Sequence, residues 1–195
     1  MKKIMFNDKC GLTKAVLKGR KTMIRRIVPN KTRINLEDFS EYQLYDRLNE
    51  EYYQKLAIER YSRYEKGEVV AVAQNYHDVG FKATEDDGFI YHRWCDDAGW
   101  NNKMFVKADL MPHKIRITDI KVERLQDISD EDCLREGVVN IGSLDGGPLY
   151  VPSMNMADVF ERPQDAFAML IDKVSGKGTW ERNPWVFAYT FELAM

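Results

Sequence analysis

Nine basic side chains and no acidic one lie between residues 9 and 36, which makes this segment the clearest candidate for chemistry in the chain. Such a density of positive charge attracts the phosphates of a nucleic acid or a nucleotide. A charged run can instead be a solvated face that pairs with acidic side chains in the folded protein. The nine residues are Lys9, Lys14, Lys18, Arg20, Lys21, Arg25, Arg26, Lys31 and Arg33.

The charge is densest at residues 19–26, which we call the basic turn. Gly19 is placed to end a short helix, so the next residues form a tight turn that leads into a strand. Adjacent strand residues point to opposite faces, so only one of Arg25 and Arg26 can line a given cleft. The residues that we predict to bind nucleic acid here are Arg20, Lys21, Thr22, Arg25 and Arg26.

Aromatic residues are concentrated in the aperiodic stretch at residues 75–103. On a loop beside a basic cleft they could stack on bases, and we assign Trp100 to that role. They could equally form a small satellite core beneath a long loop. The residues concerned are Tyr76, Phe89, Tyr91, Trp94 and Trp100.

No metal or other cofactor is predicted. His92, Cys95 and the nearby His77 lack a fourth ligand and match no common zinc spacing. Residues 142–147 resemble a phosphate loop only in glycine content, because no Lys-Ser/Thr pair and no helix follow them. We therefore interpret that segment as a turn.

The elements that must position the basic turn follow from hydrophobic periodicity and from helix end signals. Helices are predicted near residues 12–19, 35–64, 129–137 and 163–176, and strands at residues 21–28, 69–73, 115–122 and 185–193. The alternation of Ile115 and Ile117 changes phase before Ile120 and Val122, which predicts a β-bulge at residues 118–119. Strands and helices in mixed order indicate an α+β fold built on a small barrel.

Length and composition are those of one globular domain of 195 residues, with 44% hydrophobic and 31% charged residues. The net charge is only −2, so the whole molecule is not a generic polyanion binder. No membrane span or secretory signal is predicted, and three widely spaced cysteines indicate reduced thiols. We therefore expect a cytoplasmic protein.

Four stretches together resemble the ASCH domain family, in particular its members from phages and prophages. They are residues 19–26 (GRKTMIRR), 67–72 (GEVVAV), 111–128 (MPHKIRITDI followed by KVERLQDI) and 176–186 (GKGTWERNPWV). The resemblance implies a PUA-like mixed β-barrel of about five to six strands with peripheral helices, spanning residues 1–195 as a single domain. Residues 35–66 would be a helical insertion and residues 75–103 an irregular one.

The resemblance also implies a cleft beside the basic turn that holds RNA or nucleotides. Some small members of the family are amidohydrolases that remove the acetyl group from acetylated cytidine, using a lysine, a threonine and a distant glutamate. The lysine corresponds to Lys21 and the glutamate to Glu136, whereas the threonine position is Ile24. Thr22 would lie roughly 7 Å away along the strand, too far to replace it.

Two functions therefore follow as expectations. The first is a module that binds RNA, other nucleic acid or a nucleotide, and the absence of a hydroxyl at Ile24 favours it. The alternative is a small amidohydrolase with Lys21 and Glu136 as its catalytic pair, although the same two residues could form a structural ion pair. A third hypothesis is that the protein binds a partner through its tyrosine-rich helix, which is the one predicted at residues 35–64.

Overall fold

The computed structural model describes residues 1–29, 47–80, 98–144 and 147–194 and shows a mixed α+β protein. Its strands are β1 (Lys3–Ile4), β2 (Met23–Ile27), β3 (Val69–Val72), β4 (Lys114–Arg124), β5 (Val139–Leu144), β6 (Gly147–Val151) and β7 (Trp185–Ala194). Its α-helices are α1 (Leu12–Leu17), α2 (Arg47–Tyr61), α3 (Asp130–Arg135), α4 (Pro163–Ser175) and α5 (Thr179–Arg182).

A five-stranded mixed sheet with the order β1-β3-β4-β7-β2 forms the framework, and β5 and β6 form a separate hairpin. In the larger sheet β1 and β3 are parallel, whereas the other pairs are antiparallel. The register of β4 against β7 shifts between Ile117 and Asp119, which confirms the predicted bulge. The bulge bends β4 and keeps Ile115, Ile117, Ile120 and Val122 buried despite their change of phase.

The sheet is not closed into a barrel, so the closed barrel is not confirmed. Strands β1 and β2 lie at its two edges, and no strand pairing joins them in the described ranges. The edges nevertheless approach each other, because Arg26 Nη2 on β2 donates to the Met5 carbonyl just after β1 at 2.5 Å. We call the gap between β2 and residues 3–6 the edge seam.

Helix α4 covers one side of the core beneath the basic turn. Ala166, Phe167, Leu170 and Ile171 are buried along one face at helical spacing, as their pattern predicts. Pro163 begins the helix and Gly176, with φ 105°, follows its last residue. The first part of the predicted helix at residues 35–64 lies outside the described residues, as do residues 81–97 of the second predicted insertion. No helix in the described ranges is long and apolar enough to cross a membrane.

Asp172 of α4 holds α5 in place by accepting hydrogen bonds from the backbone N–H groups of Trp180 and Gly178, both at 2.8 Å. The Trp180 N–H is the main cause of a lowered Asp172 pKa. A carboxylate with a lowered pKa stabilises the fold above its unfolded-state pKa, and this contribution disappears as pH falls through the folded-state value.

We therefore expect Asp172→Asn to cost about 1 kcal/mol of unfolding free energy near neutral pH, as loss of a helix cap does. The difference from the unmutated protein should begin to shrink below about pH 4, where the carboxyl becomes protonated in the unfolded chain, and should vanish only as pH falls through the lower folded-state pKa. Urea unfolding across this pH range is the measurement. Asp158→Asn, at an exposed position, is the matched control and should change little.

Candidate functional site

Backbone hydrogen bonds hold the basic turn between α1 and α3. Gly19, with φ 69°, ends the turn after α1, and the N–H groups of Arg20 and Lys21 both donate to the Ala15 carbonyl. At the next residue, the Thr22 N–H donates to the Arg135 carbonyl at 2.9 Å. Because Glu136 follows Arg135, this bond sets the basic turn directly beside Glu136.

Lys21 and Glu136 form a buried ion pair. Lys21 Nζ lies 2.6 Å from Glu136 Oε2 and 2.5 Å from the Glu136 carbonyl oxygen. Their residues are only 2% and 4% exposed. Burial lowers the pKa of Lys21, and the Glu136 carboxylate opposes that shift. The structure thus brings together the two residues that the family resemblance pairs.

Gly137 makes room for this pair. Its φ is 112°, and a Cβ there would lie 3.1 Å from Leu12 Cδ2 and 3.7 Å from Lys21 Cδ. Glycine adopts such a φ without strain and brings no side chain into the contact. The predicted helix-ending glycine therefore also determines how closely α1 and Lys21 approach Glu136.

Arg25 is neutralised by three carboxylates. Its guanidinium lies 2.6 Å from Glu123, 3.1 Å from Asp132 and 3.2 Å from Glu136. Burial alone would lower the pKa of Arg25, but Glu136 and Glu123 outweigh it and raise the pKa. At Arg25 and Lys21 the basic run therefore pairs with acidic side chains, as the second interpretation of the sequence expects.

Arg26 points to the other face of β2 and has a different environment. It donates to the Met5 carbonyl, and the described residues include no carboxylate partner for it. Burial lowers the pKa of Arg26, as expected for a guanidinium without a close counter-ion. Thr22 is occupied elsewhere, since its hydroxyl accepts from Arg135 Nε at 3.4 Å. Arg20 is exposed.

A small cavity of about 40 Å³ opens beside this ion-pair network at the edge seam. The residues of the network and of β2 that line it are Lys21, Ile24, Arg25, Arg26 and Glu136. Residues 5–7, Leu12 and α4 complete the wall. The prediction that only one of Arg25 and Arg26 can line a given cleft is therefore wrong here, because β2 is an edge strand and side chains from both of its faces border the cavity. At roughly 10–15 Å³ for each water, this volume holds about three water molecules and no nucleoside. A larger ligand would require the seam to open.

Four further cations of the basic segment that the structure describes are on the surface. Lys9, Lys14, Lys18 and Arg20 are exposed, and none of them has an ion-pair partner in the parts of the chain that the structure describes. Lys31 and Arg33 lie outside the described residues. Among the described residues, the segment therefore has two buried and neutralised cations, half-buried Arg26 without a carboxylate partner, and an exposed set without ion-pair partners.

Trp100 lies in a second, smaller core rather than in the wall of the cavity. It packs against buried Tyr76, Val106 and Met111, and its ring meets that of His77 edge-on at 5.6 Å. This is the satellite core that the sequence leaves open as an alternative. Phe89, Tyr91, Trp94, His92 and Cys95 lie outside the described residues. Within the described ranges no three His, Cys, Asp or Glu residues form a group that could hold a metal ion.

The sequence gives no sign of the carboxylates that surround Arg25. Glu123 on β4 is separated from Arg25 on β2 by the intervening strand β7. Ala188 is the β7 residue beside Arg25, and its small side chain leaves space for the arginine to reach across. An arginine beside an alanine indicates a contact with the strand beyond only when the order of the strands is already known.

No family model, curated protein or solved structure matches this chain. The ASCH resemblance therefore rests on the four quoted stretches alone and stays a prediction.

Proposed function

We propose that this protein binds RNA, other nucleic acid or a nucleotide at the edge seam, with the exposed cations at and just before the basic turn as the contact to phosphate. The observation that carries the proposal is the ion-pair network of Lys21, Arg25 and Glu136, which is buried beside a cavity. Burying charges costs free energy that apolar side chains in the same place avoid. Strongly perturbed charged groups next to a cavity are therefore typical of functional sites.

The exposed cations supply the attraction for a polyanion. Lys14, Lys18 and Arg20 lie within seven residues of one another, beside the buried network, on a chain whose net charge is −2. Lys21 and Arg25 would act differently, because their charges are balanced by carboxylates. They would shape the site rather than contact phosphate while the pairs remain intact.

The proposal also includes a PUA-like barrel, which the family resemblance implies, and a cytoplasmic location. The edge seam would be the open side of a PUA-like barrel, with Arg26 bridging the two edges that remain unpaired. A cytoplasmic location is supported by Cys10 and Cys133, which are both buried free thiols.

The test is a triple variant that replaces Lys14, Lys18 and Arg20 with glutamine. Binding of a fluorescent single-stranded RNA should weaken about equally for all sequences. The slope of log K against log salt should flatten by roughly one for each cation that no longer pairs with a phosphate. Fluorescence anisotropy over a salt series measures both the affinity and this slope.

The control triple variant replaces exposed Lys55, Lys107 and Lys121 with glutamine and removes the same net charge. It should retain most of the affinity and the original salt dependence. Equal weakening by the two triple variants would contradict a local site, because it would show that only total charge matters.

The amidohydrolase remains a second candidate because of one observation. Lys21, Glu136 and Ile24 line the same small cavity, so the positions that the resemblance assigns to the lysine, the glutamate and the threonine border one space. The missing hydroxyl can be restored at Ile24, which makes this candidate testable by one substitution.

A further inference from the structure

A second and larger pocket of about 300 Å³ lies along the edge seam. It shares Met5 and Arg26 with the cavity beside Lys21, so the two spaces adjoin. Its volume is at the lower end of the range of roughly 300–1,000 Å³ that small-molecule sites occupy. It is therefore large enough for a ligand that the smaller cavity excludes.

Cations line this pocket, and no acidic residue does so within the described ranges. Lys3, Arg26 and Arg63 come from three separate parts of the chain. Lys3 Nζ is held by the carbonyls of Met104 and Val106 at 2.6 and 2.8 Å, and Arg26 is held by that of Met5. Carbonyl oxygens fix the positions of these groups but leave their positive charge uncompensated.

Aromatic rings form much of the rest of the wall. Tyr64 and Tyr189 are buried and meet at 5.3 Å with an angle of 77° between their planes, and Phe187 lies beside them. The Tyr64 hydroxyl donates to the Lys3 carbonyl, and that of Tyr189 pairs with Ser62 Oγ. Both hydroxyls are engaged within the protein, and these three rings are buried. Tyr61, which is half-buried, is the lining aromatic residue with the most accessible surface, and the cations offer the polar contacts.

We propose that this pocket binds one nucleotide, with the phosphate on Arg26 and Arg63 and the base against the aromatic wall. The inference rests on the proposed function and specifies its ligand. An aromatic wall alone would suit any flat apolar molecule, and three cations alone would suit any anion. Their combination in a pocket of this volume selects an aromatic group that carries a negative charge. A free mononucleotide and the 5′-phosphorylated end of a strand share this chemistry.

The experiment is isothermal titration of the full chain with uridine monophosphate, with ribose 5-phosphate as the ligand that lacks a base. Uridine monophosphate should bind at least about tenfold more tightly, since stacking of one base contributes roughly that much or more. Arg63→Gln should weaken its binding by about tenfold or more through loss of a charged hydrogen bond. Arg60→Gln, at an exposed position three residues earlier, is the control and should bind like the unmutated protein.

Arg63 is exposed, so its replacement should leave the fold intact, and thermal unfolding checks this. Equal affinity for the two ligands, or unchanged binding by Arg63→Gln, would overturn the inference. The proposed function has a separate test in the Lys14, Lys18 and Arg20 triple variant, which can succeed when this one fails. Tighter binding of a 5′-phosphorylated tetranucleotide than of its 5′-hydroxyl form supports the pocket as a strand-end site. Equal binding of those two, together with tight binding of the monophosphate, supports it as a site for free nucleotide.

Discussion

Replacing Glu136 with glutamine should destabilise the protein by about 3–5 kcal/mol, the usual effect of removing one partner from a buried ion pair. Glu136 is the shared partner of Lys21 and Arg25, at 2.6 and 3.2 Å. Glutamine is nearly the same size, so the destabilisation would come from charge rather than from a cavity. Two buried cations would then face a neutral side chain, although Arg25 would keep Glu123 and Asp132. Urea unfolding near neutral pH measures the change.

Asp119→Asn is the matched control, because it removes one charge from the exposed pair that Asp119 forms with Lys66. Such pairs contribute roughly 0–1 kcal/mol. Adding Lys21→Met to Glu136→Gln should recover part of the stability, since it removes one of the two uncompensated cations. A free energy of unfolding for Glu136→Gln within about 1 kcal/mol of the unmutated value would contradict the buried network.

Replacing Ile24 with threonine should create or raise deacetylation of an acetylated cytidine. Ile24 lines the cavity together with Lys21 and Glu136, so a hydroxyl at that position would border the same cavity as both groups. It could attack the acetyl carbonyl, with its proton passing to Glu136 and the cytidine amine leaving with a proton from Lys21. Water would then attack the acetyl-threonine ester and give its proton to Lys21, while the proton on Glu136 returns to the threonine oxygen and acetic acid leaves. Proton transfer by positioned groups typically contributes roughly 10²–10⁴-fold in rate. Release of cytidine, followed by chromatography, measures the gain.

Ile24→Val is the control for shape, since it shortens the side chain without adding a hydroxyl, and it should show no gain. Glu136→Gln added to Ile24→Thr should abolish the gain, when assayed at a temperature where circular dichroism shows that the double variant is folded. Turnover by the unmutated protein as fast as by Ile24→Thr would show that another group supplies the chemistry. The absence of any gain would leave the binding function alone.

Local patterns in the sequence predict much of the framework. The change of phase between Ile117 and Ile120 depends only on side-chain alternation, and the bulge is found there. The spacing of Ser129 and Asp132 predicts a capped helix, and the Ser129 hydroxyl accepts from the Asp132 N–H at 3.2 Å. These features need no knowledge of the tertiary structure, because each is decided within a few residues.

Strands without an apolar pattern are missed, because the prediction uses only the residues within each short segment. The β5–β6 hairpin includes Asn140, Gly142, Ser143, Gly147 and Pro148, which are typical of turns rather than of strands. The interpretation of residues 142–147 as a turn is therefore wrong for residues 142–144 and 147, which lie in β5 and β6. Strand β1 has only two residues and is held by its parallel pairing to β3. Such elements depend on the neighbours that the fold supplies, so propensity alone cannot find them.

In the candidate site, too, some features can be predicted from short stretches of sequence, whereas others depend on contacts between distant parts of the chain. The basic turn is visible in composition, but the burial of Lys21 and Arg25 depends on acidic residues about a hundred positions away along the chain. The pairing of Lys21 with Glu136 comes from the family resemblance, because nothing in their spacing indicates contact. The larger pocket is invisible in the sequence, since Lys3, Arg26, Arg63 and Tyr189 meet only when the sheet edges approach each other.

The central claim is that the edge seam and basic turn bind a phosphate-bearing ligand, and a salt titration of RNA binding by the unmutated protein tests it most directly. Three or more phosphate contacts predict a slope of log K against log salt of about −2 or steeper for a single strand. We expect measurable affinity at low salt that falls along this line. An affinity that is the same at low and high salt, or no binding at low salt, would contradict the claim.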